Sequence, residues 1–518
     1  MVAGREIELQ FSLSAPDADR LLLLPAIAGF GSAGERRLVS IYFDTPKQAL
    51  RKAGLFLRVR HDGAKYIQTL KHHGSSRLNR AEWEWEVSGS EPDLEVARNT
   101  PLVEFLSDPD FRDALAPVFT VDVLRRSWLL AGRSTIELAI DRGEIRAGGN
   151  SLSVCEVELE LKGGRRERLF SLARKIAGVA PLELSFVSKG ERGFRLAQGG
   201  WAAPVKASNP VLPREMPVAE AFVAIVNSCL SQFTLNSAAF AAGDTLEAVH
   251  QSRIAIRRLR AALSLFAPAV RDDRFDVIKS EWKWLGGTLG EARNLDVLQT
   301  ELLVPAAAQP DPPAGTKELV AAVEIGRMAA RKQVAETLGS QRFRKMLLET
   351  ALWCEGGRWR RARDAQAAER RKARVCDFMA QRIDRRRKSF ANLVKGMESL
   401  DADGLHQVRI DGKKLRYAAE FCRTLVESGK MERRLGRFLT ALEKVQAALG
   451  EIQDASSRVA LFEAIARNHL ESEQGSILLY AAGRFAGGAP DHATLLRKAS
   501  KHAARAVAEK PFLEEATR

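Results

Sequence analysis

The chain has 518 residues, 45% of them hydrophobic and 28% charged, the make-up of a folded protein at a length that favours two to four domains over one. Its net charge of +15 is unevenly placed: residues 1–200 hold 29 Lys+Arg against 27 Asp+Glu, and the remaining 318 hold 51 against 38. The basicity belongs to the second part, and a polyanionic partner is its simplest cause. Five cysteines, far apart and without CxxC spacing, argue against a disulfide framework or a zinc site and suit a reducing cytoplasm.

The first element is "EIELQF", Glu6 to Phe11. Read as a strand, it sends Glu6, Glu8 and Gln10 to one face and Ile7, Leu9 and Phe11 to the other. The apolar run "LLLLPAIAGF" that follows is short, broken by Pro25 and preceded by Asp17 and Asp19, so it does not read as a signal peptide, and no stretch is expected to cross a membrane. Two-residue alternation then continues through "RLVSIYFDT", "LFLRVRHDG", "KYIQTLK", "AEWEWEV", "STIELAIDRGEI" and "SVCEVELELK". With "RRERLFSLARKIAG" as its clearest helix, residues 1–200 read as a mainly antiparallel β domain with flanking helices.

Residues 201–217 form a linker within "AQGGWAAPVKASNPVLPREMP", which contains four prolines and two glycines. From 218 to 508 helix formers dominate, with one Pro-rich break at "PAAAQPDPPAG". This all-α domain contains an internal repeat. "HQSRIAIRRLR" (His250 to Arg260) recurs 156 residues later as "HQVRIDGKKLR" (His406 to Arg416), and "LGEARN" (Leu289 to Asn294) is echoed by "LGEIQD" (Leu449 to Asp454). Two linked coincidences in one order indicate a duplicated helical unit, about 218–350 and 375–508.

The strands segregate their charges. Glu156, Glu158, Glu160 and Lys162 share one face, Arg58 and Arg60 another, and Glu82, Glu84 and Glu86 a third. For one strand, a solvated face is the simpler account. For the set, a sheet closed with its charged face inward would bring carboxylates suited to Mg²⁺ or Mn²⁺ beside Arg and Lys suited to phosphate oxygens. A chamber with both is a site for a metal-chelated polyphosphate.

In this order "EIELQF", "YFDTP", "LRVR", "QTLK", "EWE", "EVELELK" and "SKGERG" resemble the CYTH domain of the triphosphate tunnel metalloenzymes, over roughly residues 3–198. The His/Arg repeat resembles a CHAD domain. The resemblance implies a multidomain α+β chain: a closed eight-stranded antiparallel β-barrel that hydrolyses inorganic triphosphate with Mg²⁺ or Mn²⁺, then two duplicated four-helix bundles that bind inorganic polyphosphate in a basic groove. By position it implies metal ligands at Glu6, Glu8, Glu156, Glu158 and Glu160. Phosphate contacts would come from Arg58, Arg60, Lys71, Arg126, Lys189 and Arg192, and Glu82, Glu84 and Asp141 are further acidic candidates. The catalytic set is then Glu6, Glu8, Arg58, Lys71, Glu156, Glu158 and Lys189. Gln10 departs from the ExExK pattern, which ends in Lys. A neutral donor binds phosphate more weakly than a charged one, so a barrel that binds without hydrolysing is the alternative.

On a helix, His250, Arg253, Arg257 and Arg260 form one stripe, repeated by His406, Arg409, Lys413 and Arg416 and widened by Arg258 and Lys414. A solvated basic face would explain one copy; two matched copies favour an anion-binding surface. For either histidine alone, a structural role between helices is an equal alternative. Lys283, Arg293, Arg433, Arg434 and Arg437 are candidates to extend the surface, with Asn294 and Asp454 orienting the cations. The tract from Arg358 to Lys388 reads as solvated helix faces; Trp353 and Trp359 could stack on bases, but no nucleic-acid-binding fold surrounds them, and no P-loop occurs. The expected setting is the cytoplasm, in association with polyphosphate granules, without a membrane or nucleic-acid partner.

Overall fold

The computed structural model describes residues 4–23, 27, 34–72, 79–362, 364–467, 475–486 and 491–513; most of the apolar run after Leu23 lies outside them. The chain forms two compact units. The first comprises residues up to Val205 with Thr234–Asp244 and Leu338–Arg358, and the second comprises Lys206–Phe233, Thr245–Thr337 and Trp359–Arg518.

In the first unit, among the described residues, nine antiparallel strands form one sheet: β1 (Gly4–Ser12), β2 (Gly34–Asp44), β3 (Leu55–His61), β4 (Tyr66–His72), β5 (Asn79–Val87), β6 (Ala116–Leu130), β7 (Thr135–Ala147), β8 (Asn150–Gly163) and β9 (Glu183–Leu184). Their order is β5-β4-β3-β2-β6-β7-β8-β1-β9, and β5 also pairs with β1, from Gly4↔Glu82 to Ile7↔Asn79. This corrects the expected eight-stranded closed barrel. One edge of β1 is taken by β8, and the other is shared: Gly4–Ile7 pair with β5, whereas Phe11 and Ser12 pair with Leu184 and Glu183 of β9. A strand of two residues is too short to leave an alternation in the sequence. Gly148, at φ 55°, turns β7 into β8, and Gly143 lets β6 and β7 close up, since a Cβ there would lie 2.0 Å from the Asp122 carbonyl oxygen.

Alternation sets the two faces. In β3, Leu55, Leu57 and Val59 enter an apolar cluster with Phe43, Leu50, Leu70, Leu102 and Phe111, so Arg58 and Arg60 must point to the opposite face. That face is not wholly charged: Leu38, Tyr42, Phe56, Phe119, Val121 and Val123 meet Phe194 and Leu196 in a second cluster. Two helices matter for the site and its support, α1 (Arg166–Ala177) and α2 (Lys189–Ala197), the latter capped by Ser188, whose hydroxyl accepts from the Glu191 amide.

The second unit is helical. Its main helices are α3 (Val218–Ala241), α4 (Thr245–Val270), α5 (Phe275–Val297), α6 (Thr316–Leu338), α8 (Val375–Leu393), α9 (Ala402–Glu420), α10 (Gly429–Arg467), α11 (Gly475–Ala486) and α12 (His492–Ala508); the end of α3 and all of α7 (Gln341–Gly356) belong to the first unit. Helix α3 is long and apolar enough to cross a membrane, contrary to expectation, but 78% of its most apolar window is buried within the protein, as in the core helix of a globular domain. The repeats fall on equivalent pairs: His250–Arg260 on α4 against α5, and His406–Arg416 on α9 against α10, with α4 also packed on α9. Trp353 and Trp359 are 4% and 0% exposed, so neither offers a ring to a base.

Candidate active site and anion surface

A cavity of about 330 Å³ opens on the charged face of the sheet, within the size range of small-molecule sites. Among the described residues, seven cations line it (Arg36, Arg58, Arg60, Lys71, Arg125, Lys162 and Lys189), together with eight carboxylates from Glu8, Asp62, Glu82, Glu84, Glu137, Asp141, Glu158 and Glu160. Lining of nearly balanced charge cannot by itself neutralise a highly charged anion.

The cations come largely from β3, β4 and α2. Arg58 lies 3.8 Å and Lys71 3.0 Å from Glu82. Burial opposes the Arg58 charge, yet Tyr42, Glu82 and Glu84 raise its pKa above the ordinary value. Arg60 is different: burial and the neighbouring Arg58 and Arg125 depress it to about 10, and a ligand anion would relieve that repulsion. Lys189, the first residue of α2, reaches Glu156 and Glu158 at 2.6 Å and Asp141 at 3.0 Å. Against the cost of burial, these carboxylates hold its ammonium well above the usual range.

The acids form rows across β7, β8 and β1. Glu160 is registered with Glu137 on one side and Glu8 on the other, and Glu158 with Gln10. Directly opposed residues have Cβ atoms about 5 Å apart, so Glu137, Glu160 and Glu8 present three hard oxygen donors side by side. Arg125 makes paired 2.7 Å bonds to Asp141 and also bonds Glu158. Burial alone would raise the Glu158 carboxyl, but Lys189 and Arg125 hold it well below the usual carboxylate range. The donor set suits Mg²⁺ or Mn²⁺. Among the described residues no three ligating side chains converge into a cage, which fits an ion held by one or two carboxylates and completed by its substrate's oxygens.

Most of the expected residues meet at this cavity: Glu8, Gln10, Arg58, Arg60, Lys71, Asp141, Glu158, Glu160 and Lys189, with Glu82 and Glu84. The side chain of Glu6 lies outside the described residues. Arg126 is not at the cavity; it sits on the other face of β6, half exposed, 3.6 Å from Glu35 and over the Trp128 ring. Arg125 takes the inward place, in step with Val121, Val123 and Ser127. In the tandem "RR" the reading slipped by one residue, which reverses the face of a strand. Glu156 is also corrected. It is 1% exposed beneath the lining, accepting from Gln10 Nε2, Lys189 and Arg192, so it anchors those groups from below, and Arg192 is buried with it. Lys162 also lines the cavity, as its charged face implied; Glu137, Arg36 and Asp62 were missed, and "TIELAID", with Glu137 and Asp141 four residues apart on one face, carried the signal for the first.

On the helical unit, burial and the nearby Arg257 depress Arg253, Arg409 and Lys413. Burial, Arg409 and Arg257 lower Lys413 to about 7, and burial, Arg257 and Arg293 lower Arg253 to about 10. Burial and Arg293 lower His250, while His406 Nδ1 lies 2.8 Å from Gln453 Oε1. Other stripe members are engaged elsewhere. Arg416 pairs with Glu420 and Glu443, Arg437 with Glu509, Lys414 with Asp411, and Arg258 is buried against Asn209 and the Ser208 carbonyl. Arg260 is depressed by burial alone.

The CYTH domain family matches residues 4–194 and the CHAD domain family residues 224–463. This is a CYTH–CHAD chain. The inorganic triphosphatase of Haemophilus influenzae is 31% identical to it over 163 residues, which are 31% of this chain and 46% of that protein, so the match spans about half the length of that relative. The CHAD domain from Ricinus communis is 28% identical with a TM-score of 0.48, covering 58% of this chain and 96% of that one. HpAC1 from Hippeastrum, described as having a dominant triphosphatase activity, is 21% identical with a TM-score of 0.29, covering 38% and 96%.

Proposed function

We propose that the CYTH cavity hydrolyses inorganic triphosphate to pyrophosphate and phosphate with Mg²⁺ or Mn²⁺, and that the CHAD unit, as two duplicated four-helix bundles, binds inorganic polyphosphate. The observation that carries the first part is the lining: among the described residues, seven cations against eight carboxylates favour a polyanion that arrives with divalent cations. The relative named as an inorganic triphosphatase supports it. Arg58, Arg60 and Lys71 would hold the phosphoryl oxygens and Lys189 the end nearest Glu158, fixing the chain for in-line attack by water. One or two of the carboxylates Glu8, Glu158, Glu160 and Glu137 would hold the metal, which when bound supplies charge neutralisation and Lewis acidity. The Asp141 and Glu158 pairs fix Arg125, so little reorganisation is left for the reaction. Five free cysteines suit the cytoplasm as its setting.

The second reading is a receptor that binds and does not hydrolyse. It rests on Gln10, whose neutral amide lines the cavity where the pattern has an ammonium. Phosphate release from triphosphate with Mg²⁺ or Mn²⁺ separates the two. Turnover by the wild type that is lost in Glu158→Gln establishes the enzyme; silence in the wild type with turnover in Gln10→Lys favours the receptor, and silence in both sinks the triphosphatase assignment.

A further inference from the structure

The two copies of the repeat do not treat their arginines alike. Arg253 and Arg409 occupy matching places, as do Gly290 and Gly450, and Asn294 and Asp454. In each half the glycine faces the arginine of its partner helix. A Cβ at Gly290 would lie 2.6 Å from Arg253 Nη1, whereas one at Gly450 would lie 3.7 Å from Arg409 Nη2. The guanidinium of Arg253 therefore rests against α5 at Gly290, while Arg409 stands further from Gly450.

Four residues beyond each glycine, one turn along the same face, the halves differ in charge. Asp454 lies 3.9 Å from Arg409. Its counterpart Asn294 has no charge to offer, and Arg253 makes no ion pair among the described residues; its Nη1 is buried without a hydrogen-bond partner. The groups that act on Arg253 are the cations Arg257 and Arg293. A half-buried cation whose named electrostatic neighbours are cations, and whose Nη1 has no hydrogen-bond partner, gains from an anion that neutralises it.

We propose that the duplicated surface is asymmetric: Arg253, seated on Gly290 and left unneutralised by Asn294, is its principal phosphate contact, and the pair Asn294/Asp454 sets the strength of the two halves. This rests on the reading that the CHAD unit binds polyphosphate. Asn294 and Asp454 act through the arginines and are positioning residues.

The test is titration of the full chain with long-chain inorganic polyphosphate at several salt concentrations. Asn294→Asp should weaken binding by about twofold to fivefold, and Asp454→Asn should tighten it by a similar factor, the scale of an exposed ion pair. Arg253→Ala should cost about tenfold or more, as for a lost charge-assisted bond, and Arg409→Ala clearly less. On an Arg253→Ala background, Asn294→Asp should do nothing further, which a purely structural effect would not reproduce. Equal losses from the two arginines, or exchange variants that leave affinity unchanged while the wild type binds, would overturn the asymmetry. A wild type that binds no polyphosphate would overturn the binding reading itself, and the asymmetry with it.

Discussion

The cavity and the helical surface are both rich in Arg and Lys, yet they hold their cations in opposite ways. In the cavity nearly every cation has a carboxylate: Lys71 and Arg58 have Glu82, Arg125 has Asp141 and Glu158, and Lys189 has three. On α4 and α9 the central cations have one another, and among the described residues the acid that acts on them is Asp454, 3.9 Å from Arg409 and also raising Lys413. The difference teaches what each can bind. A charge-balanced site accepts a polyanion that brings its own counterions, whereas an unbalanced surface accepts a bare one and releases counterions in doing so.

The contrast breaks most visibly on chelation. Removal of divalent metal should abolish phosphate release, and Glu158→Gln should lower it by about a hundredfold or more, while polyphosphate binding by the helical unit should persist in both; phosphate assay and titration on the same samples check this. Next in size, Arg125→Ala should cost about a hundredfold in turnover, and Arg126→Ala, one residue away but on the outer face, should stay within about twofold. Steady-state kinetics of the two variants would show whether the face was correctly assigned.

Lys413 gives a pH signature to the unbalanced surface. Its pKa is lowered to about 7 by burial, Arg409 and Arg257, with Arg253 adding to the effect and Asp454 opposing it. Below about pH 7 the ammonium is already formed and binding takes up no proton there. Between about 7 and the ordinary lysine value near 10.4, an anion that requires the charged form must draw a proton, so affinity should fall as pH rises, up to about tenfold per unit. Lys413→Arg should flatten that slope, and titrations from pH 6 to 9 would reveal it. The smallest effect is expected at Gln10. Because Glu156 already accepts from Lys189 and Arg192, Gln10→Lys adds a cation to a neutralised acid and should change kcat by less than about threefold; a large gain would mean the amide had detuned the site.

The domain order, the mainly antiparallel sheet, the helical repeat and most of the cavity residues were legible in the sequence, because two-residue alternation and a duplicated stripe are periodic signals that survive without coordinates. The failures share a cause. Arg126 and Arg125 are adjacent and alike, so composition could not set the register, and Glu156 stands in phase with Glu158 and Glu160 but lies under α2, whose position no local pattern encodes. In the same way Arg258 and Arg416 belong to the stripe by spacing, yet Asn209 and Glu443 engage them through long-range contacts, with Glu420 adding a pair one turn along α9.

Helix α7 has a consequence for how the chain is made. It belongs to the first unit: Arg174 on α1 holds Glu349 through bonds of 2.7 and 3.1 Å, Arg166 Nη1 donates to the Glu355 carbonyl at 2.9 Å, and Phe170 lies against Gly356. During translation the strands emerge first, but the face of α1 that α7 covers stays bare until some 150 further residues have left the ribosome, counted from the linker at about residue 205 to the end of that segment at Arg358. The N-terminal unit is therefore begun first and finished late, and its completion is timed by the synthesis of helices that belong to its neighbour.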